Sequence, residues 1–208
     1  MTRTLLVYGD SNTYGTPPMP DLDFIGRHAA ADRWPGVMAQ GLPDWTVIAE
    51  GLPGRTTVHD DPLEGAHKNG LAVLPAILES HTPLDLVIVK LGTNDLKARH
   101  NLPAQDVAFG AGKLIECIRR LAPAAAVLLI APPPIVEAGC LAEMFGGAAA
   151  KSARFASLFA AEAARQGAHF LDAGAHIAVD PLDGIHYDTA AHHTLGHAVA
   201  AEIHRRWP

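Results

Sequence analysis

An α/β architecture, with a five-stranded parallel sheet in a three-layer α/β/α sandwich, is predicted by three features of the chain. Five short apolar runs recur along it, segments of helical spacing separate them, and chemically functional residues stand just after the runs. The runs cover residues 4–8, 46–50, 86–91, 126–131 and 168–171. Most are apolar on successive residues rather than on alternate ones, the pattern of strands covered on both faces. Spacing of apolar residues at three and four predicts helices over 34–40, 71–80, 104–121, 149–166 and 189–206. Strictly alternating strands and helices, joined by right-handed crossovers, place helices on both sides of a parallel sheet. Ligands then bind beyond the carboxyl ends of the strands, where the strand order reverses. Three connections, 16–33, 51–70 and 132–147, are longer than such units need and are expected to build pocket walls.

The 208 residues read as a single domain, 1–208, with no internal repeat and no flexible linker. A core of that size buries roughly 70% of the unfolded surface, so neither a metal nor a disulfide scaffold is required. Hydrophobic residues make up 49% and charged residues 18%, which excludes a disordered chain. The net charge of −6 comes without a Lys/Arg run, which argues against a nucleic-acid partner. The first apolar run ends at Tyr8, too short for a signal peptide or a membrane span, so a cytoplasmic protein with no membrane partner is expected. Cys117 and Cys140 have no CxxC spacing and are read as two free thiols.

Four strand ends carry groups suited to acyl chemistry. The first run leads into Gly9-Asp10-Ser11-Asn12, presenting a hydroxyl on a tight turn. Alone, such a serine is as readily a turn or capping residue. After the last run come Asp183-Gly184-Ile185-His186, an acid and an imidazole three residues apart. Serine is a weak nucleophile that needs a base within reach, and the base needs a third group to fix its tautomer. Asp183 can orient His186, and His186 can deprotonate Ser11; Asp180 and Asp188 are rival carboxylates with less suitable spacing. The third run enters Leu91-Gly92-Thr93-Asn94-Asp95, whose side-chain amide can donate to a developing oxyanion. Backbone amides of Ser11 and of Gly54, in the loop after the second run, would complete a three-donor hole.

The blocks Gly9-Asp10-Ser11, Gly54, Gly92-Thr93-Asn94-Asp95 and Asp183-Gly184-Ile185-His186 resemble, in order, the four blocks of the SGNH (GDSL-type) hydrolase family. Similarity to its arylesterase/acyltransferase members extends through Arg33-Trp34, Glu50-Gly51-Leu52, Arg55-Thr56-Thr57, Asp61-Pro62, residues 84–88 and Pro132-Pro133-Pro134. The resemblance implies a flavodoxin-like SGNH hydrolase fold and an acyl-enzyme on Ser11, with Asp183 and His186 completing the catalytic set. It implies an oxyanion hole of Ser11, Gly54 and Asn94, supporting roles for Asp10 and Gly92, and no cofactor or metal. Short-chain acyl esters are the implied donors, with water, alcohols or peroxide as acceptors. Homo-oligomers are common among such relatives, and their acceptor channel can lie between subunits. Two departures bear on the pocket: Asn12 stands where leucine is usual, and Pro53 precedes the oxyanion glycine.

Two other classes fit parts of the chain. Ser11-Asn12-Thr13-Tyr14-Gly15-Thr16 is similar to the phosphate loop of an FMN-binding electron carrier, but Pro17, Pro18 and Pro20 are expected to deny it a following helix. A metal-dependent hydrolase is suggested by His193 and His197, four apart near His192 and His204, and by the loose set His59, Asp60, Asp61 and His67. Phosphate-loop, dinucleotide and Gly-x-Ser-x-Gly patterns are absent. Cys140 has no thiolate-stabilising neighbour in sequence, while Ile135, Val136, Leu141, Met144 and Phe145 are candidates to line an apolar acceptor pocket.

Overall fold

The computed structural model, which describes residues 2–208, has five parallel strands in one sheet. They are β1 (Arg3–Gly9), β2 (Trp45–Gly51), β3 (Leu86–Lys90), β4 (Ala126–Ala131) and β5 (His169–Asp172), in the order β2-β1-β3-β4-β5. Successive residues of a strand face opposite ways. Leu5 and Val7 of β1 therefore enter one core, with Leu86 and Ile88, while Leu6 and Tyr8 enter the other, with Val87 and Val89. This is the physical reason that β1 and β3 read as unbroken apolar runs: neither face of either strand meets water.

Helices α2 (Trp34–Gln40) and α7 (Thr189–Arg206) cover the first core, through Trp34, Met38, Leu195, Val199 and Ile203. Helices α3 (Gly70–His81), α4 (Ala104–Leu121) and α6 (Phe155–Arg165) cover the second, through Leu74, Val107, Ile115, Phe155 and Phe159. Side-chain caps fix two of the starts, with Asn69 accepting from the Ala72 N–H (3.2 Å) and Asp188 from the Ala191 N–H (2.7 Å). Among the described residues no helix is long and apolar enough to cross a membrane.

Four expectations are corrected. The helix predicted over 149–166 is two helices, α5 (Ala149–Ser152) and α6. The Ser152 hydroxyl donates to the Ala149 carbonyl (2.9 Å) and accepts from the Ile135 N–H (3.0 Å), which anchors α5 to the loop after β4, and the chain then redirects through Ala153 and Arg154. Leu91 lies outside β3, and β5 runs one residue later than predicted, because its register pairs Leu128 with His169 and Ala131 with Asp172. A helical turn, α1 (Ser11–Tyr14), does follow β1: Asp10 caps it by accepting from the Asn12 N–H (3.0 Å), and Gly15 closes it before the prolines. The prolines thus shorten the helix instead of preventing its start.

His192 on α7 is wholly buried and accepts a hydrogen bond at Nδ1 from the Trp34 N–H (3.2 Å). Burial, reinforced by repulsion from His28 and Lys90, lowers its pKa from 6.5 to about 3. The unfolded chain protonates this ring near pH 6.5, whereas the folded chain keeps it neutral. Its contribution to stability is therefore complete above pH 6.5 and is lost toward pH 3, by about 1.4 kcal/mol per unit. Urea midpoints of the wild-type protein should fall between pH 6.5 and about 4.5, and His192→Gln should flatten that fall. Parallel curves for the two proteins would contradict the assignment.

Candidate active site

The strand order turns back between β1 and β3, which leaves a crevice beyond their carboxyl ends. Ser11 follows β1 directly and Asn94 follows β3 after a tight turn at Gly92. Gly92 has φ +131°, and a Cβ there would meet Phe159 at 3.0 Å and Val107 at 3.2 Å, so α4 and α6 leave room only for glycine. Asp183 and His186 arrive from the loop between β5 and α7, about 175 residues away in sequence from Ser11.

These pieces meet. Ser11 Oγ lies 3.1 Å from His186 Nε2, and His186 Nδ1 lies 2.6 Å from Asp183 Oδ2. An ionised carboxylate only accepts, so Nδ1 carries the proton and Nε2 of the neutral ring is left to accept from the serine hydroxyl. Asp183 is fully buried and takes four donors: the Ile185 and His186 N–H groups on Oδ1 (2.9 Å each), and the Met19 N–H (2.7 Å) with the imidazole on Oδ2. Burial by itself pushes this carboxyl upward, but the hydrogen bond and charge of His186 and the two backbone N–H groups outweigh it, and its pKa is lowered. The rival carboxylates are engaged elsewhere. Asp180 accepts from the Leu182 N–H (2.8 Å), and Asp188 caps α7.

Asn94 is buried at the cleft wall, and its Nδ2 donates to the Arg55 carbonyl (3.2 Å). An amide nitrogen carries two protons, so one remains for a ligand. The Ser11 N–H, in the first turn of a helix, has no intrahelical acceptor. Gly54 faces the same cleft with φ +80°, and a Cβ there would strike the Glu64 carboxylate at 2.1 Å. Only a residue without a Cβ leaves room for the Glu64 carboxylate at this position.

The cleft encloses about 310 Å³ above Ser11 and His186, walled by Met19, Leu22, Leu141, Met144, Phe145 and Ile185. Of the five residues predicted to line an acceptor pocket, Leu141, Met144 and Phe145 do so. Ile135 is in the core and Val136 is half-exposed, its N–H bonded to the Gly184 carbonyl (3.0 Å), so neither lines the cleft. Cys140 sits beside the cleft with its thiol donating to the Met19 carbonyl (3.5 Å), and burial raises its pKa. Asn12 turns away from the cleft and donates from Nδ2 to the Ile185 carbonyl (3.1 Å), tying the serine turn to the histidine loop.

Two features were invisible in the sequence. The Met19 N–H on Asp183 is a backbone group, which no residue pattern marks. The polar wall of the cleft, Lys97 and Glu64, joins a network in which Lys97 pairs with Glu64 and with Asp61 (3.3 Å), while Arg99 pairs with Asp61 (2.9 Å) and Glu64 (2.5 Å). Burial opposes ionisation of Asp61, but backbone donors and the two cations hold it well below the usual carboxylate range. Among the described residues no group of three or more His, Cys, Asp or Glu side chains is arranged to hold a metal ion. His193 pairs with Asp32 (3.0 Å), and His59 with Asp95 (3.3 Å).

The profile of the GDSL-like lipase/acylhydrolase family matches residues 7–197. The chain belongs to that family, and so stands among the carboxylic ester hydrolases. The native aryl esterase of M. smegmatis superposes with a TM-score of 0.93 at 38% identity, over 98% of this chain and 99% of that one. A carbohydrate acetylesterase from Sinorhizobium meliloti gives 0.94 at 37% identity, over 99% and 100%. An arylesterase of Vibrio mimicus is 32% identical over 137 residues, 64% of this chain; the match takes in 57% of that protein. The fold is that of these SGNH hydrolases.

Proposed function

We propose that the protein is a serine esterase and acyltransferase for short-chain acyl esters, working through an acyl-enzyme on Ser11. The observation that carries this reading is the unbroken relay from Ser11 Oγ through His186 to Asp183, opening on an apolar cleft. His186 Nε2 takes the hydroxyl proton as Oγ attacks the ester carbonyl carbon. Negative charge then develops on the carbonyl oxygen, received by the Ser11 and Gly54 N–H groups and the Asn94 amide. When the intermediate collapses, the imidazolium returns its proton to the departing alkoxide, which leaves as an alcohol. Water or a second alcohol reverses these steps and frees Ser11. Asp10 and Gly92 support the site by shaping the turns that carry Ser11 and Asn94.

A cleft of about 310 Å³ is at the small end for a ligand pocket, which favours acetyl and other short acyl groups. The similarity to an aryl esterase and to a carbohydrate acetylesterase supports the same class of donor. Walls of Leu, Met and Phe disfavour bulk water near the acyl-enzyme and favour an alcohol acceptor with an apolar body. No cofactor takes part in this scheme. Leu22 and Leu63, both well exposed and flanking the cleft mouth, also support assembly as a homo-oligomer.

Ser11→Ala should abolish turnover of nitrophenyl acetate, and Asn94→Ala should lower kcat by on the order of a hundredfold with little change in KM. Full activity of the serine variant, or an effect of Asn94→Ala confined to KM, would reject these roles. With a fixed nitrophenyl ester, added short alcohol should divert product from free acid to the new ester in proportion to its concentration, as chromatography of both products would measure. Free acid alone at every alcohol concentration would refute acyl transfer.

A further inference from the structure

Three buried polar side chains, each next to a different segment of the site, converge behind the serine turn. Asp10 precedes Ser11 and is fully buried; Oδ1 caps α1, while Oδ2 has no hydrogen-bond partner among the described residues. Lys90 ends β3, paired in register with Gly9 of β1 and four residues before Asn94, and its ammonium is fully buried and unpartnered. Tyr187 directly follows His186, and its buried hydroxyl is likewise unpartnered. Lys90 Nζ stands 4.8 Å from the centre of the Tyr187 ring, and the His192 ring meets Tyr187 edge-on at 5.5 Å. Among the described residues nine buried side-chain polar atoms lack hydrogen-bond partners; three are on Asp10, Asn12 and Thr13 of the serine turn, and three more on Lys90, Tyr187 and His192, which meet at the Tyr187 ring.

A buried ammonium or carboxylate is costly unless compensated, and such groups in folded proteins are satisfied by one another or by ordered water. Burial lowers the pKa of Lys90, an effect the Asp10 carboxylate opposes, and burial raises that of Tyr187, an effect the same carboxylate reinforces. Among the described residues neither Asp10 Oδ2 nor Lys90 Nζ has a hydrogen-bond partner, and an ordered water is the bridge that can satisfy two such groups.

We propose that Lys90 and Tyr187 are positioning residues, linked to Asp10 through ordered water in a buried cluster that holds the serine turn, the histidine loop and the end of β3 in mutual register. None of the three touches substrate. They act through Ser11, His186 and Asn94, so the inference rests on the esterase reading above. Misplacement of a reacting group by about an ångström is enough to cost one to two orders of magnitude in rate.

The test compares Lys90→Met, Tyr187→Phe and the double variant with the full-length wild-type protein, using nitrophenyl acetate. Each single variant should lower kcat roughly tenfold or more with KM nearly unchanged, and the double should lose no more than the worse single, because both act through one cluster. Losses that multiply in the double variant, or wild-type kcat in either single, would overturn the proposal. Tyr187→Phe removes one oxygen and keeps the ring, so it decides the matter even if Lys90→Met fails to fold. A high-resolution crystal structure should show water within hydrogen-bond reach of both Asp10 Oδ2 and Lys90 Nζ, and a dry gap would count against it. Ser11→Ala run alongside separates the two levels. Activity in that variant sinks the esterase reading itself, whereas an inactive Ser11→Ala with unaffected Lys90→Met and Tyr187→Phe sinks only the cluster.

Discussion

The carboxylate of Asp183 is the constraint on which the rest of the site depends. Its four donors come from the loop it begins and from Met19 on the long connection after β1, so one side chain fixes both walls of the cleft. The Ile185 and His186 N–H groups fold the histidine loop back on Asp183, which is why a spacing of three residues suffices to bring acid and imidazole together. Burial alone would favour the neutral acid; the donors reverse that preference, and the ionised form then fixes which nitrogen of His186 faces the serine.

The sheet supplies the other half of the geometry. Because β1 and β3 are neighbours while their connections leave in opposite directions, the ends of these two strands open a crevice instead of closing under a crossover. Ser11 and Asn94 sit on its two sides, and Asn12 stitches the serine turn to the Ile185 carbonyl. The substitution of asparagine for the more usual leucine thus adds a polar tie between two segments of the site without adding a polar group to the cleft. Beside it, the charges of Lys97, Arg99, Asp61 and Glu64 pair with one another, which leaves a cleft with no unpaired cation among these residues to draw anionic substrates.

Much of this was legible in the sequence because the functional groups follow strands, and buried parallel strands announce themselves by unbroken apolar runs. Ser11, Gly54, Asn94, Asp183 and His186 were singled out in that way; four of them line one cleft, and Asp183 is bonded to His186 from the buried side. What escaped depends on contacts that no local pattern records. The break between α5 and α6 is associated with a serine hydroxyl reaching Ile135, 17 residues away along the chain. Ile135 and Val136 were expected in the pocket wall on apolarity alone, which cannot tell a core side chain from a cleft side chain. The backbone donor of Met19 has no signature at all. Lys90 is the one charged residue in the run 86–91, and nothing in that pattern marks it as fully buried.

In the mechanism proposed above, the Ser11 hydroxyl, activated through this relay, becomes covalently acylated. Rapid acid quenching of the enzyme mixed with excess nitrophenyl acetate, followed by mass spectrometry of the digested protein, tests it directly. One acetyl group, transiently bound, is expected on the peptide that contains Ser11. Acetyl found instead on Cys140 or another side chain, or steady turnover with no acylated serine at any quench time, would contradict it.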